Sequence, residues 1–194
     1  KDGQAADRAA AGGRGGLGIL IVIGTLDTAT RMGYLLFLPF LIQGRGGDTP
    51  EIGLGLALLF VGGAFGKATC GWLGERMGVI GSVMATKGVT ALLILATLVT
   101  PLTEMMIVLP VLGVVLNGTS SVLYGAVPDL ASKGDLGRAF AVFYTFVIGS
   151  GGLAPIAYGA IADVGGQTVG VLATVATTVL IVPLALSLRP ALRR

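Results

Sequence analysis

The stretch "LGILIVIGTLDTATRMGYLLFLPFLI", residues 17–42, is apolar for long enough to cross a bilayer, yet it holds Asp27 and Arg31 four positions apart. A spanning helix needs roughly 20 predominantly apolar residues, and stretches of about that length recur along the chain. We count six, at about 17–42, 52–73, 79–100, 105–128, 139–162 and 168–188. The breaks "QGRGGDTPE", "GERMG", "TPLTE", "PDLASKGDLGR" and "DVGGQ" carry the Gly, Pro and charged residues that end helices. The sequence therefore predicts an all-α membrane protein of six transmembrane helices, with short connections that leave no room for a soluble domain.

Composition agrees. Of 194 residues, 54% are hydrophobic and 12% charged, and the mean hydropathy is +0.89. A water-soluble domain carries about a quarter charged residues. There is no histidine, no cluster of metal ligands, and Ser150 in "GSGG" has no catalytic partner, so neither an enzyme nor a cofactor or metal site is expected. No ring-forming acidic cluster or filter-like segment suggests a channel, and the partners implied are the lipid bilayer and a small molecule, with no nucleic acid. The single cysteine, Cys70, lies in an apolar span and reads as packing.

Residues 1–16, "KDGQAADRAAAGGRGG", read as a cytoplasmic linker or tail, and residues 189–194 as a basic cytoplasmic tail. Because the chain begins with Lys1, the expectation is that it was trimmed or that something precedes it in a longer parent. With both termini cytoplasmic, nine positive residues (Lys1, Arg8, Arg14, Arg76, Lys133, Arg138, Arg189, Arg193, Arg194) fall inside and only Arg45 outside. The remaining positives, Arg31, Lys67 and Lys87, lie within spans.

Depth distinguishes these three. At 1.5 Å per residue, Lys67 lies roughly 9 Å and Lys87 roughly 12 Å from the cytoplasmic ends of their spans, within reach of snorkelling, which predicts interfacial anchors. Asp27 lies roughly 15 Å deep and Arg31 roughly 21 Å. An ion near the bilayer centre costs about 2.5–3.5 kcal/mol and needs a partner. The i, i+4 spacing offers one, since Asp27 and Arg31 would share a helix face. At similar depth the fourth span places Asn117, followed by Thr119, Ser120, Ser121 and Tyr124. These polar groups line a cavity or join helices by hydrogen bonds.

Glycine, at 33 residues, recurs inside spans. Gly62, Gly63, Gly66, Gly71 and Gly74, and likewise Gly149, Gly151, Gly152 and Gly159, form small faces for close helix packing or for sliding, and Pro155 predicts a kink. The pattern G-x-x-x-acid-x-x-G occurs at Gly71, Glu75, Gly78 and again at Gly159, Asp163, Gly166. Three spans separate the copies, the period of an inverted three-plus-three repeat.

"GWLGERMG", residues 71–78, resembles the G-x-x-x-D-R-x-G-R/K loop signature of the major facilitator superfamily, with Glu75 in the Asp place and Val79 where a basic residue is usual. "TATRMGYLLFLPFLIQ", "NGTSSVLYGAVPDLA" and "GRAFAVFYTFVIGSGGLAPIAYGAIAD" resemble spans of its bacterial drug and fosmidomycin efflux branch. The resemblance runs from about residue 17 onward and corresponds to one half, the C-terminal six helices, of a twelve-span fold. It implies proton-coupled efflux of a small organic solute across a bacterial inner (plasma) membrane, by alternating access with an N-terminal half or a second copy.

By the same resemblance the first, second, fourth and fifth helices surround the central path. Asp27, Arg31, Asn117, Ser121 and Tyr124 become candidates for substrate binding or proton coupling, and Lys87, on the third helix, does not. Gly71, Glu75, Arg76 and Gly78 would form a cytoplasmic gate, with Asp129, Asp135 and Arg138 as partners. Two readings of Asp27 and Arg31 stand: a switch in which protonation of Asp27 frees Arg31, or a static pair fixing the first helix. A truncated or scaffold six-span protein without transport activity is the alternative function.

Overall fold

The computed structural model describes the backbone of residues 2–131 and 134–192, and their side chains from Gly15 onward. Lys1, Lys133, Arg193 and Arg194, counted above among the cytoplasmic positives, lie outside the described residues, as do the side chains of Arg8 and Arg14. The helices are α1 (Asp2–Gln43), α2 (Thr49–Val99), α3 (Leu102–Leu130), α4 (Leu136–Gly165), α5 (Gln167–Ser187) and the short α6 (Arg189–Leu192). Five of them are long and apolar enough to cross a membrane, α1 through its stretch Gly15–Gln43.

Two expectations differ from this. Helix α1 starts at Asp2, so helical backbone runs through the stretch read as a linker, consistent with the helix propensity of its alanines. The second and third expected spans are joined in the single α2 of 51 residues, interrupted at Gly78 with φ 71°, ψ 168°. Only glycine populates that region readily, so the helix is kinked there. Two arms result, 49–77 and 79–99.

The start of α2 is fixed by its sequence. The Glu51 amide donates to Asp48 Oδ1 at 3.3 Å and the Asp48 amide to Glu51 Oε2 at 2.7 Å. This reciprocal box satisfies two otherwise orphaned donors, and Pro50 fits the first turn. These hydrogen bonds with the Glu51 side chain and amide hold the exposed Asp48 carboxyl below the usual carboxylate range. At the same end, Arg45 donates to the carbonyls of Leu41 and Thr100 at 2.7 Å each and to that of Thr97. One guanidinium thus ties the C-terminal ends of α1 and α2 and meets their negative dipole ends.

Packing registers give the helix directions. The first α2 arm and α3 run parallel in closest contact: a Cβ on Gly62 or Gly66 would strike the backbone of Pro110 or Val114, and one on Gly118 would strike Cys70. This is small-residue packing, which lets backbones approach and gain dispersion contacts in lipid. Helix α1 runs parallel to the second α2 arm, meeting it at Asp27–Lys87 and at Tyr34–Thr97. It also runs parallel to α4, with Gly24 against Phe143 and Gly33 against Tyr158, and antiparallel to α5, with Gly33 against Thr174 and Phe37 against Gly170.

The glycines of α4 correct an expectation. Gly149 and Gly152 are exposed, and a Cβ on either would have no atom within 4 Å, while one on Gly159 would meet only Leu36, at 3.9 Å. The face of α4 that packs on α1 carries Phe143, Val147, Ala154 and Tyr158 instead. With helical spacing, Gly149 and Gly152 fall on its other side. Pro155 lies within the continuous α4.

Two apolar cores lie at opposite ends of the bundle. One holds Tyr34, Leu38, Ile42, Leu59, Ile94, Leu109 and Val171; the other holds Leu20, Ile23, Val83, Leu123, Val127, Phe143 and Ile181. Between them come buried polar residues from four helices: Asp27 and Thr30, Thr86, Lys87 and Thr90, Asn117 and Thr119, Thr174 and Thr178. Most of these threonines donate to a carbonyl three or four residues back on their own helix. Their oxygens remain available as acceptors across the helix contacts.

Candidate transport site

The polar layer centres on an interhelical ion pair. Lys87 Nζ, on the second arm of α2, donates to Asp27 Oδ1 of α1, and the two side chains are 0% and 2% exposed. This is the one salt bridge among the described residues. The expectations that Arg31 would partner Asp27 and that Lys87 would anchor at the interface are both corrected. Lys87 lies on the stripe of α2 that also carries Thr86, Thr90, Ile94 and Thr97, all buried. That stripe packs against α1, which turns the ammonium inward where no water can hold it. An i, i+4 pair on one helix contributes only about 0.2–0.5 kcal/mol in water, whereas an unpaired ammonium buried here would cost several kcal/mol. The cross-helix pair wins on that comparison.

Around the pair, the Thr119 and Thr86 hydroxyl oxygens lie 3.1 Å apart where α3 meets α2. The Thr178 and Thr30 hydroxyl oxygens lie 3.4 Å apart where α5 meets α1. On its other side Asp27 borders a crevice lined by Gly24, Thr28, Ser120, Leu123, Tyr124, Phe143 and Val147, too narrow to hold a water molecule. Tyr124 closes it, stacked on Tyr144 at 5.0 Å between centroids and edge-on to Phe143 at 5.3 Å.

The residues expected to form the site are thus brought together only in part. Asp27 and Tyr124 share the crevice, with Ser120 in the place expected of Ser121. Ser121 is half-buried and outside that lining. Asn117 is buried but serves packing: its Nδ2 donates to the Gly113 carbonyl at 3.2 Å, and its amide fills the space above Gly63. Arg31 is half-buried, makes no hydrogen bond or salt bridge among the described residues, and has a buried Nε without a partner.

Sequence reasoning set Lys87 aside as an anchor, named Thr119 and Ser120 beside Asn117 without giving them a site role, and missed Tyr144 and the threonines of α1, α2 and α5. The signal for Lys87 was present in "TKGVTALLILAT", residues 86–97, where Thr86, Lys87, Thr90 and Thr97 mark one helical stripe on an otherwise apolar span.

At the other motif, Gly71 is half-buried, and Glu75, Arg76, Asp129, Asp135 and Arg138 are exposed. The expected pairing of Arg76 with Asp129 or Asp135 is absent among the described residues. Its guanidinium instead lies over the Trp72 ring, 4.6 Å from the centroid. Those residues are one turn apart on the same arm, so the stacking costs little ordering. Gly78 and Gly166, which end the two copies of the sequence echo, share one backbone conformation: φ 71°, ψ 168° and φ 86°, ψ 163°.

A family model described as Major Facilitator Superfamily matches residues 20–194. No curated protein matches the sequence.

Proposed function

Since the chain belongs to the Major Facilitator Superfamily and is an integral, multi-pass membrane protein with a transporter's function, we propose that it moves a small organic solute by proton-coupled alternating access. On this reading it forms a six-crossing bundle that works against a second bundle, an N-terminal half or another copy of itself. Taking α2 as two crossings is supported by its 51 residues, about 77 Å if straight, against a hydrocarbon core of about 30 Å. The shared conformation of Gly78 and Gly166 supports an inverted three-plus-three repeat. Cytoplasmic termini and a bacterial inner membrane follow from the positive residues and the resemblance. Efflux rests on the resemblance to the drug and fosmidomycin branch alone.

The observation that carries the coupling is the buried Asp27–Lys87 pair, closed off from water between two apolar cores. A proton on Asp27 removes the charge that compensates Lys87. The lone ammonium is then costly in a low-dielectric bundle, and the conformation that wets it becomes the cheaper one. Loss of the proton on the other side restores the pair and the closed packing. Thus the switch expected of Asp27 keeps its acid but exchanges Arg31 for Lys87 as the released partner.

Asp27→Asn in proteoliposomes of the native membrane particle tests this. Gradient-driven flux should vanish while solute exchange without a gradient persists. Unchanged driven flux rejects the coupling role, and loss of the folded protein from the membrane assigns the pair to structure. Absence of any flux or exchange from the wild-type particle favours the scaffold alternative.

A further inference from the structure

The pairing of Asp27 with Lys87 leaves a charge imbalance inside the bundle. Within the apolar spans stand three cations, Arg31, Lys67 and Lys87, and one acid, Asp27. Lys87 takes that acid, so Arg31 and Lys67 have no counter-charge among the described residues. Every other acid with a described side chain (Asp48, Glu51, Glu75, Glu104, Asp129, Asp135, Asp163) sits near a helix end or beside the Gly78 bend.

The packing register sets the two remaining cations at one depth, which corrects the shallower, interfacial level expected of Lys67. Ser120 and Asp27 line the same crevice, which fixes the level of α3 against α1. A Cβ on Gly66 would meet Val114 and one on Gly118 would meet Cys70, which fixes the first α2 arm against α3. By that register Lys67 lies roughly 7 Å from the Asp27 level, and Arg31 lies roughly 6 Å from it on the same side. Lys67 is exposed on its arm and Arg31 half-buried on α1, so both are reachable from outside the bundle. Arg31 also keeps an unpartnered Nε, with a planar donor set suited to a carboxylate, sulfonate or phosphonate.

We propose that Arg31, with Lys67 as a second cation at its level, recognises organic anions, so that the solute carried is a small acid rather than an amphipathic cation. The inference rests on the transport reading for its physiological meaning, though binding itself does not require flux. Two uncompensated cations at bilayer depth are unfavourable in the empty protein, and an anion that neutralises them gains affinity from that instability. Tyr124 and Phe143 line the crevice on the far side of the Asp27 level, an aromatic surface toward which the body of an anion held at Arg31 would extend. An aryl or alkyl body therefore suits it better than an inorganic ion.

The test uses the purified native particle in mild detergent at low salt, with benzenesulfonate and phenylphosphonate as probes and phenyltrimethylammonium as the size-matched cation. Both anions should raise the unfolding temperature saturably, and the cation should not. Arg31→Gln should weaken anion binding at least about tenfold, with Arg31→Lys keeping part of it. Lys67→Gln, at an exposed position, gives an independent variant if Arg31→Gln fails to fold. Stabilisation by the cation, none by either anion, or anion binding unchanged in both variants overturns the inference. Solute flux measured in parallel separates the two readings: anion binding without flux rejects transport alone, and flux of a cation without anion binding rejects this inference alone.

Discussion

Lys87 and Asp27, sixty positions apart in sequence, meet in the middle of the bundle with both side chains buried. The pair joins α1 to the second arm of α2 at the level where the two apolar cores give way to threonines, and everything inferred about coupling turns on it.

Removing one member leaves the other charged and buried, whereas removing both leaves neither. Asp27→Asn and Lys87→Met should therefore each destabilise the bundle by about 3–5 kcal/mol, and the double variant by much less than their sum. Thermal unfolding of the four proteins in one detergent measures the coupling. Additive losses would show that the pair contributes little.

Gly78 holds a backbone region that residues with a Cβ avoid. Gly78→Ala should cost about 1–3 kcal/mol. The cost arises from strain alone, because no atom lies within 4 Å of a Cβ there. A matching loss in Gly166→Ala, at φ 86°, would support the structural equivalence of the two positions.

Close approach of α2 and α3 makes Gly66 intolerant of size, since an added Cβ would strike the Val114 backbone. Gly66→Leu should abolish a folded, monodisperse particle. Gly149→Leu, which meets nothing within the bundle, should leave its unfolding temperature nearly unchanged, and a large fall would contradict the exposure of that face of α4.

Asp48 caps α2 and its carboxyl is held below the usual range. A depressed folded-state pKa means that the cap's contribution is present above the ordinary carboxylate pKa and is lost as pH falls through the folded value. Asp48→Ala should therefore lower the unfolding temperature at neutral pH, with the deficit shrinking under acid. A deficit that grows as pH falls would contradict the cap.

The spans were legible because membrane crossing needs long apolar runs, and "TLDTATRMGY" announced its buried charge by breaking one. Which partner Asp27 takes was not legible. Helical periodicity reports neighbours on one helix, and Arg31 is the obvious one, but Lys87 arrives through tertiary packing of a stripe on another. Likewise the small face at Gly62 and Gly66 meets α3, while the similar pattern at Gly149 and Gly152 is left open. Small residues permit close packing without saying which helix will come. That the two arms of α2 are parted by a single residue rests on one glycine's φ, which no apolar pattern encodes.

The most direct test of the account is infrared difference spectroscopy of the native particle as pH is lowered, comparing wild type with Asp27→Asn. With Asp27 as the proton-binding group, the wild type shows a protonated-carboxyl C=O band from a buried acid, accompanied by backbone changes, and the variant loses both. The same band and the same backbone changes in Asp27→Asn would contradict Asp27 as the proton-binding group.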